Sequence, residues 1–436
     1  MLIQDRLSAQ PNASIPQASE SWSQTKATYR FWDNPKVSAA GILEAHRSSV
    51  QERMLESGVV LAIQDTTDLN FTHHRSKNFE SGFGLTSSQS YVWGLKVHTT
   101  FGVSGEGVPL GVLDQQVWSR DPAKSTSGKK HPKKSKTKSL KDKESLRWLQ
   151  AQVASELDLP EGVALVTVAD RESDIYELMA MPRGKGVHVL LRVCRNRTVD
   201  HPSKLLKAAI AQAPIAGTLT VTVSKRKGQG QREATLTVRH QRLTLKVPKN
   251  RPKSAQLCDL PMTVVSVEEE HPPEGCKAIH WLLISDIEID SFEQACTLVQ
   301  WYALRWLIER YHYVLKSGCQ IESLQLETAT RIIPALATYA IVAWRLLWLT
   351  YEARVHPQQS CEVAFETFEW QALFCRFHHQ PKPPKKPPSL EQVVRWVAQL
   401  GGFLARKHDG NPGVKTLWRG LTRLHDIADT WRLAHD

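Results

Sequence analysis

The segment YALRWLIERYHYVLKSG, residues 302–318, carries four polar side chains at a spacing suited to work on phosphate. A helix turns by about 100° per residue, so relative to Tyr302, Arg305 lies near −60°, Glu309 near −20° and Lys316 near −40°. Leu304, Ile308, Tyr311 and Leu315 fall between about 180° and 240° on the same wheel. A single helix over 302–318 is therefore expected to bury an aliphatic and aromatic face. Tyr302, Arg305, Glu309 and Lys316 would share the other face. Arg grips a phosphate bidentately, Lys supplies a point charge, and Tyr donates a hydroxyl. An ordinary solvated helix face is polar too, so this pattern gains meaning only if other acids join Glu309.

Two others are candidates. Asp65 follows the apolar run VVLAI with one residue between, and Asp170 directly follows VALVTVA. A carboxylate at the end of a central strand sits at the sheet edge, where open α/β sheets bind ligands. Each has a plainer use as well. Asp170 can N-cap the helix expected from Ser173, and Asp65 can start a turn in DTTD. Together with Glu309 the two aspartates make three hard oxygen ligands, suited to Mg²⁺ or Mn²⁺ rather than zinc. Two such ions can stabilise the attacking and leaving oxygens of a phosphoryl displacement. Glu172 and Asp174 add negative charge nearby, although acids are common at helix starts in any case.

The elements that must position these residues can be read from periodicity. Val59–Ile63 reads as a strand buried on both faces. Tyr91–Val103 and Val108–Trp118 read as two more, joined by the turn SGEG. Helical patterns over Lys143–Leu157 and from Ser173 alternate with strands Val163–Ala169 and Val187–Val193. That order predicts an α/β fold, a ribonuclease-H-like core with a mixed sheet flanked by helices. GTLTVTV, REATLTVRH, RLTLKV and MTVVSV read as a β-rich insertion over 195–280. Residues 1–22 show weak periodicity, and 23–57 read as short helices. Helical patterning runs from Ser291 to about Arg354. PKPPKKPP at 381–388 reads as a stiff linker before a small helical module. The expected division is 1–57 helical, 58–360 the core, and 361–436 a C-terminal helical module.

Composition narrows the partners. The 436 residues hold 56 Lys and Arg against 44 Asp and Glu, a formal charge of +12, which favours a polyanion. Nine of the twenty residues 124–143 are Lys, so this stretch reads as a loop, either a solvated linker or a phosphate contact. Seven scattered cysteines without a CxxC argue against a disulfide framework or a zinc module and fit a reducing cytoplasm. The opening MLIQDRLSAQ lacks the apolar core of a signal peptide. Ile332–Thr350 is strongly apolar but contains Pro334 and Arg345, so a buried helix is expected there rather than a membrane span.

Tyr302–x2–Arg305–x3–Glu309–x6–Lys316 has the spacing of the Y-R-E-K signature of DDE transposases of the insertion-sequence-four, Tn-five type. LAIQDTTDLN around Asp65 resembles that family's first-aspartate segment. VTVADRESDIYEL resembles the second, with Ser173 in place of the usual Ala. KESLRWL and GGFLARKHDG are similar as well, so the resemblance covers roughly residues 25–436. It implies that Asp65, Asp170 and Glu309 are a metal-binding catalytic triad using Mg²⁺ or Mn²⁺. It also implies that Tyr302, Arg305 and Lys316 hold phosphates at a transposon end, and that Trp281 in IHWLLISD stacks a flipped base. A core aromatic is the plainer reading of Trp281. Arg192, Arg195 and Arg197, just after a core strand, are candidate phosphate contacts or a surface cluster. The partners implied are transposon-end DNA, target DNA and a second copy of the chain, paired through the C-terminal module. Relatives open with a fuller end-recognition segment of the LGD-x-R kind. This chain is expected to keep a partial helical end-binding domain, which leaves a non-catalytic DNA-binding and dimerising protein as the alternative.

Overall fold

The apolar runs of the sequence become the inner strands of a mixed sheet. The computed structural model describes residues 2–19, 21–74, 78–87, 91–121, 144–157, 159–223, 232–251 and 256–435. The lysine-rich stretch 124–143 lies outside the described residues. The N-terminal part is helical, with α1 (Leu2–Ala9), α2 (Ile15–Ala18), α3 (Trp22–Asp33) and α4 (Ala39–Ser57). Strand β1 (Val59–Asn70) follows, then the two-residue β2 (Gly84–Leu85) and the hairpin of β3 (Trp93–Ser104) and β4 (Pro109–Trp118). Next come α5 (Leu146–Glu156), β5 (Ala164–Ala169), α6 (Tyr176–Ala180) and β6 (Val187–Arg192). Helix α7 (Leu206–Gln212) precedes β7 (Ile215–Val223), β8 (Arg232–Leu245), β9 (Leu260–Glu268) and β10 (His280–Ser285). The rest is helical: α8 (Phe292–Ala303), α9 (Trp306–Tyr313), α10 (Ala329–Val355), α11 (Thr367–His378), α12 (Leu390–Leu400) and α13 (Val414–His435). Along the chain, β1, β3, β4, α5, β5, α6 and β6 repeat the succession expected of a ribonuclease-H-like core. The fold class is α/β as the sequence predicts.

The chain divides into two units. One holds Ser57–Asp65 and Thr137–Trp306; the other holds Met1–Glu56, Thr66–Lys136 and Leu307–Asp436. In the first unit the strand order is β1-β5-β6-β10-β9-β8-β7. β1, β5 and β6 are parallel, with Gln64 opposite Ala169 and Ala169 opposite Leu191. Their inner residues Val60–Ile63, Leu165–Ala169 and Val189–Leu191 are buried, as strands covered on both faces must be. From β10 onward every pairing is antiparallel. The β-rich insertion, strands β7–β9, therefore prolongs this sheet by pairing β9 with β10, which itself pairs with β6, rather than forming a body of its own. REATLTVRH and RLTLKV, which read as separate runs, largely form the single 14-residue strand β8. Trp148, Tyr176, Met179 and Ile210 join the apolar residues of β6, β8, β9 and β10 in this unit's core.

In the second unit β3 pairs antiparallel with β4 and with β2. The weakly patterned N terminus forms α1 and α2 because Leu7 and Ile15 are buried there. Helix α3 is tied to α10 by the Trp32 indole, which donates to Thr338 Oγ1 at 3.2 Å. Helix α10 is long and apolar enough to cross a membrane, yet 83% of its most apolar window is buried in protein. It is a core helix, as Pro334 and Arg345 led one to expect. Its C-terminal part joins α11, α12 and α13 around Trp370, Leu373, Val393, Val397 and Leu417.

Candidate active site

Strands β1 and β5 bring two of the acids to one place. The last pair in their register is Gln64 with Ala169, so Asp65 and Asp170 leave the paired region side by side. Both are half-buried. Asp65 does not start a turn, because β1 continues through DTTD to Asn70. Asp170 does act as a cap, on a short 3₁₀ turn over Arg171–Ser173. Its Oδ1 accepts the Glu172 N–H at 2.9 Å, and Ser173 Oγ donates to the Asp170 carbonyl at 2.6 Å. A carboxylate has about four lone-pair sites, so capping and ligand binding are compatible.

Glu309 is exposed in the first turn of α9, in the unit that does not contain Asp65 and Asp170. Leu307, Ile308, Tyr311 and Leu315 are buried beneath it, with Tyr311 stacked on Phe101 at a centroid distance of 4.6 Å. The apolar face of the sequence wheel is thus largely correct for α9. The single helix over 302–318 is not. Helix α8 stops at Ala303, residues 304–305 form a turn, and the five residues Val314–Gly318 after α9 are π-helical.

These breaks redistribute the polar residues. Tyr302 ends up on α8 rather than with Glu309, 3% exposed, its ring edge-on to Trp281 at 5.1 Å. Trp281, on β10, is half-exposed. Arg305 sits half-buried in the turn, its N–H donating to the Tyr302 carbonyl at 3.0 Å. Lys316 reaches back to β1 and donates from Nζ to the Asp68 carbonyl at 2.6 Å. The Asp68 carboxylate in turn takes Lys96, which also donates to the Thr86 carbonyl at 3.3 Å. Burial, then the Lys316 charge, pushes the His312 imidazole down to about 3, so it stays neutral.

The three arginines after β6 have different fates. Arg192 is half-buried and donates to the His280 carbonyl at 2.7 Å. Arg195 is exposed. Arg197 is buried and ion-paired with buried Asp174, so its guanidinium is spent inside the protein and it leaves the set of phosphate contacts. Sequence reasoning missed Asp68 and Lys96, and it treated Asp174 only as a helix-start acid. One signal was present: Lys96 is the only formally charged residue in the otherwise neutral strand β3.

Among the described residues no group of three or more His, Cys, Asp or Glu side chains is close enough to hold a metal ion. Asp65, within β1, and Asp170, just after β5, are hard oxygen donors of the type Mg²⁺ and Mn²⁺ take, and poor ones for softer metals.

Comparison with known proteins finds transposase modules at both ends of the chain. A family model described as transposase DNA-binding matches residues 1–37. A second, the Tn5 transposase dimerisation domain, matches residues 341–436. A solved structure of piggyBac transposase in a synaptic complex with hairpin DNA aligns over 85% of this chain with a TM-score of 0.34 and 10% identity. The chain covers 57% of the length of that protein.

Proposed function

We propose that the chain is a cut-and-paste DNA transposase of the Tn5 type whose site is Asp65, Asp170 and Glu309, a reading supported by the transposase family models matched at residues 1–37 and 341–436. The observation that carries this reading is that Asp65 and Asp170 each directly follow the last register pair, Gln64 with Ala169, of the adjacent parallel strands β1 and β5. Glu309, exposed on α9, is taken as the third carboxylate from the resemblance of its Y-R-E-K spacing. These three carboxylates would hold Mg²⁺, or Mn²⁺ in its place, which supplies charge neutralisation for phosphoryl transfer. Exposed Arg195 and half-buried Arg192, Arg305 and Lys316 bind backbone phosphates and fix the end in line for attack. Tyr302 supports the ring of Trp281, and Trp281 stacks a base turned out of the duplex.

The chemistry is a series of phosphoryl transfers, two hydrolyses and two transesterifications. Water attacks a phosphodiester at the transposon end, and the 3′-oxygen leaves as a hydroxyl. That hydroxyl attacks the opposite strand and closes a hairpin. A second water opens the hairpin, and the freed 3′-ends attack target DNA. Each step makes one P–O bond and breaks one, so a single site serves all of them. Two chains act together, paired through residues 341–436, and the substrate DNA is that of the cytoplasmic nucleoid.

The test incubates purified protein with linear DNA carrying the element's ends and Mg²⁺ or Mn²⁺. Hairpin-ended products are expected. They should fall by on the order of 10³-fold or more in Asp65→Ala, Asp170→Ala and Glu309→Ala, because each removes several kcal/mol of transition-state stabilisation. DNA retention without cleavage by the intact chain would instead mark a non-catalytic DNA-binding and dimerising protein.

A further inference from the structure

Residues 170–174 contain three acids, and only Asp174 is shut away from solvent. Its carboxylate is fully used. Oδ2 accepts the backbone N–H groups of Cys194 at 2.9 Å and Arg195 at 2.8 Å. Oδ1 accepts Arg197 Nε at 3.1 Å and Nη2 as well, while Nη2 also donates to the Asp174 carbonyl at 3.1 Å. The Arg197 guanidinium lies 5.8 Å from the centre of the Tyr176 ring. The Tyr176 hydroxyl bonds to the Leu245 and Cys258 carbonyls. The turn after β5 is thereby tied to the loop after β6, and Cys194 Sγ rests 3.9 Å from the Arg171 carbonyl.

A buried ion pair alone says little about stability, since well-packed apolar residues often serve as well. Two consecutive backbone N–H groups aimed at one buried oxygen say more, because they fix the conformation of the loop that carries them. We infer that Asp174, with Arg197, is a positioning residue: it clamps loop 194–196 against the turn that carries Asp170, so that exposed Arg195 meets the DNA phosphate beside the cut. The inference rests on reading Asp170 as catalytic. It also explains why an arginine in this cluster is buried: Arg197 holds the clamp and Arg195 makes the contact.

The experiment compares the full-length protein with Asp174→Leu/Arg197→Met, which removes both charges together and keeps the interior apolar. Amide hydrogen exchange at 194 and 195, DNA binding across salt concentrations, and end cleavage are measured. Exchange should quicken at least tenfold. The slope of log affinity against log salt should lose about 0.9, the value of one phosphate contact. Cleavage should fall at least tenfold, and adding Arg195→Ala should lower none of these further. Asp174→Asn, which keeps the shape and one acceptor oxygen, should show the same changes at smaller size and serves if the double variant does not fold. A folded variant with native exchange or an unchanged salt slope overturns the inference. If the wild-type chain neither cleaves nor binds ends, the transposase reading fails, while the exchange result still decides whether the clamp exists.

Discussion

Asp170 uses one carboxylate oxygen on the Glu172 N–H, so this cap can be separated from the metal-holding role proposed for it. Asp170→Asn keeps an oxygen for the cap and loses the charge. It should hold stability within about 0.5 kcal/mol, since Asn and Asp cap comparably, while abolishing end cleavage. Denaturant melts alongside cleavage assays check this, and a cleaving Asn variant would remove Asp170 from the triad. His46 illustrates a different control. Its buried ring accepts the Val112 N–H at 3.3 Å, and burial, then the charge of Arg53, lowers its pKa to about 3. The unfolded chain takes up this proton near 6.5 and the folded chain does not. Stability therefore falls as pH drops below 6.5, by about 2 kcal/mol at pH 5 from this group alone. His46→Gln should flatten the curve between pH 6.5 and 4, measured by urea unfolding across pH. An unchanged acid limb would mean that His46 is protonated in the fold.

Among the elements, the crossing of α12 and α13 is set by two glycines. A Cβ on Gly401 would stand 1.8 Å from the Thr416 carbonyl oxygen, and one on Gly420 would stand 1.8 Å from that of Val397. These are backbone atoms that cannot rotate away, so the helices must separate. Gly401→Ala and Gly420→Ala should each cost about 1–3 kcal/mol or more, and the pair less than the sum because both open one contact. A wild-type melting temperature in either variant would show that the crossing is looser than this. The break between α8 and α9 has no such marker. Residues 300–313 contain no glycine or proline, and each is a tolerable helix former, so nothing local foretells a stop at Leu304.

At the scale of the whole chain, a surplus of 12 positive charges favours DNA of any sequence. With six to ten phosphate contacts, affinity should drop by roughly 10³–10⁵ between 50 and 200 mM salt. Filter binding over a salt series measures this, and a flat response would rule out a backbone-dominated interface. Sedimentation with end DNA should find two chains per complex, in line with the dimerisation family matched at residues 341–436. A complex with one chain would argue against pairing through that segment.

Local patterning determined the inner strands, the placing of Asp170 at a strand end, the core nature of α10 and the buried face of α9, but not the continuation of β1 past Asp65 to Asn70. These depend on which residues avoid water along a short stretch, and that is written in their order. Partners that sit on different elements, whether some twenty or some 250 positions apart, are not. Lys316 with Asp68, Asp174 with Arg197 and the loop N–H groups, and Tyr302 against Trp281 exist only because the chain returns on itself. The same holds for the insertion, whose strands alternate as any β-rich segment would. Only the pairing of β9 with β10, and of β10 with β6, made it an extension of the core sheet, because backbone N–H and C=O groups carry no label for the strand they will meet.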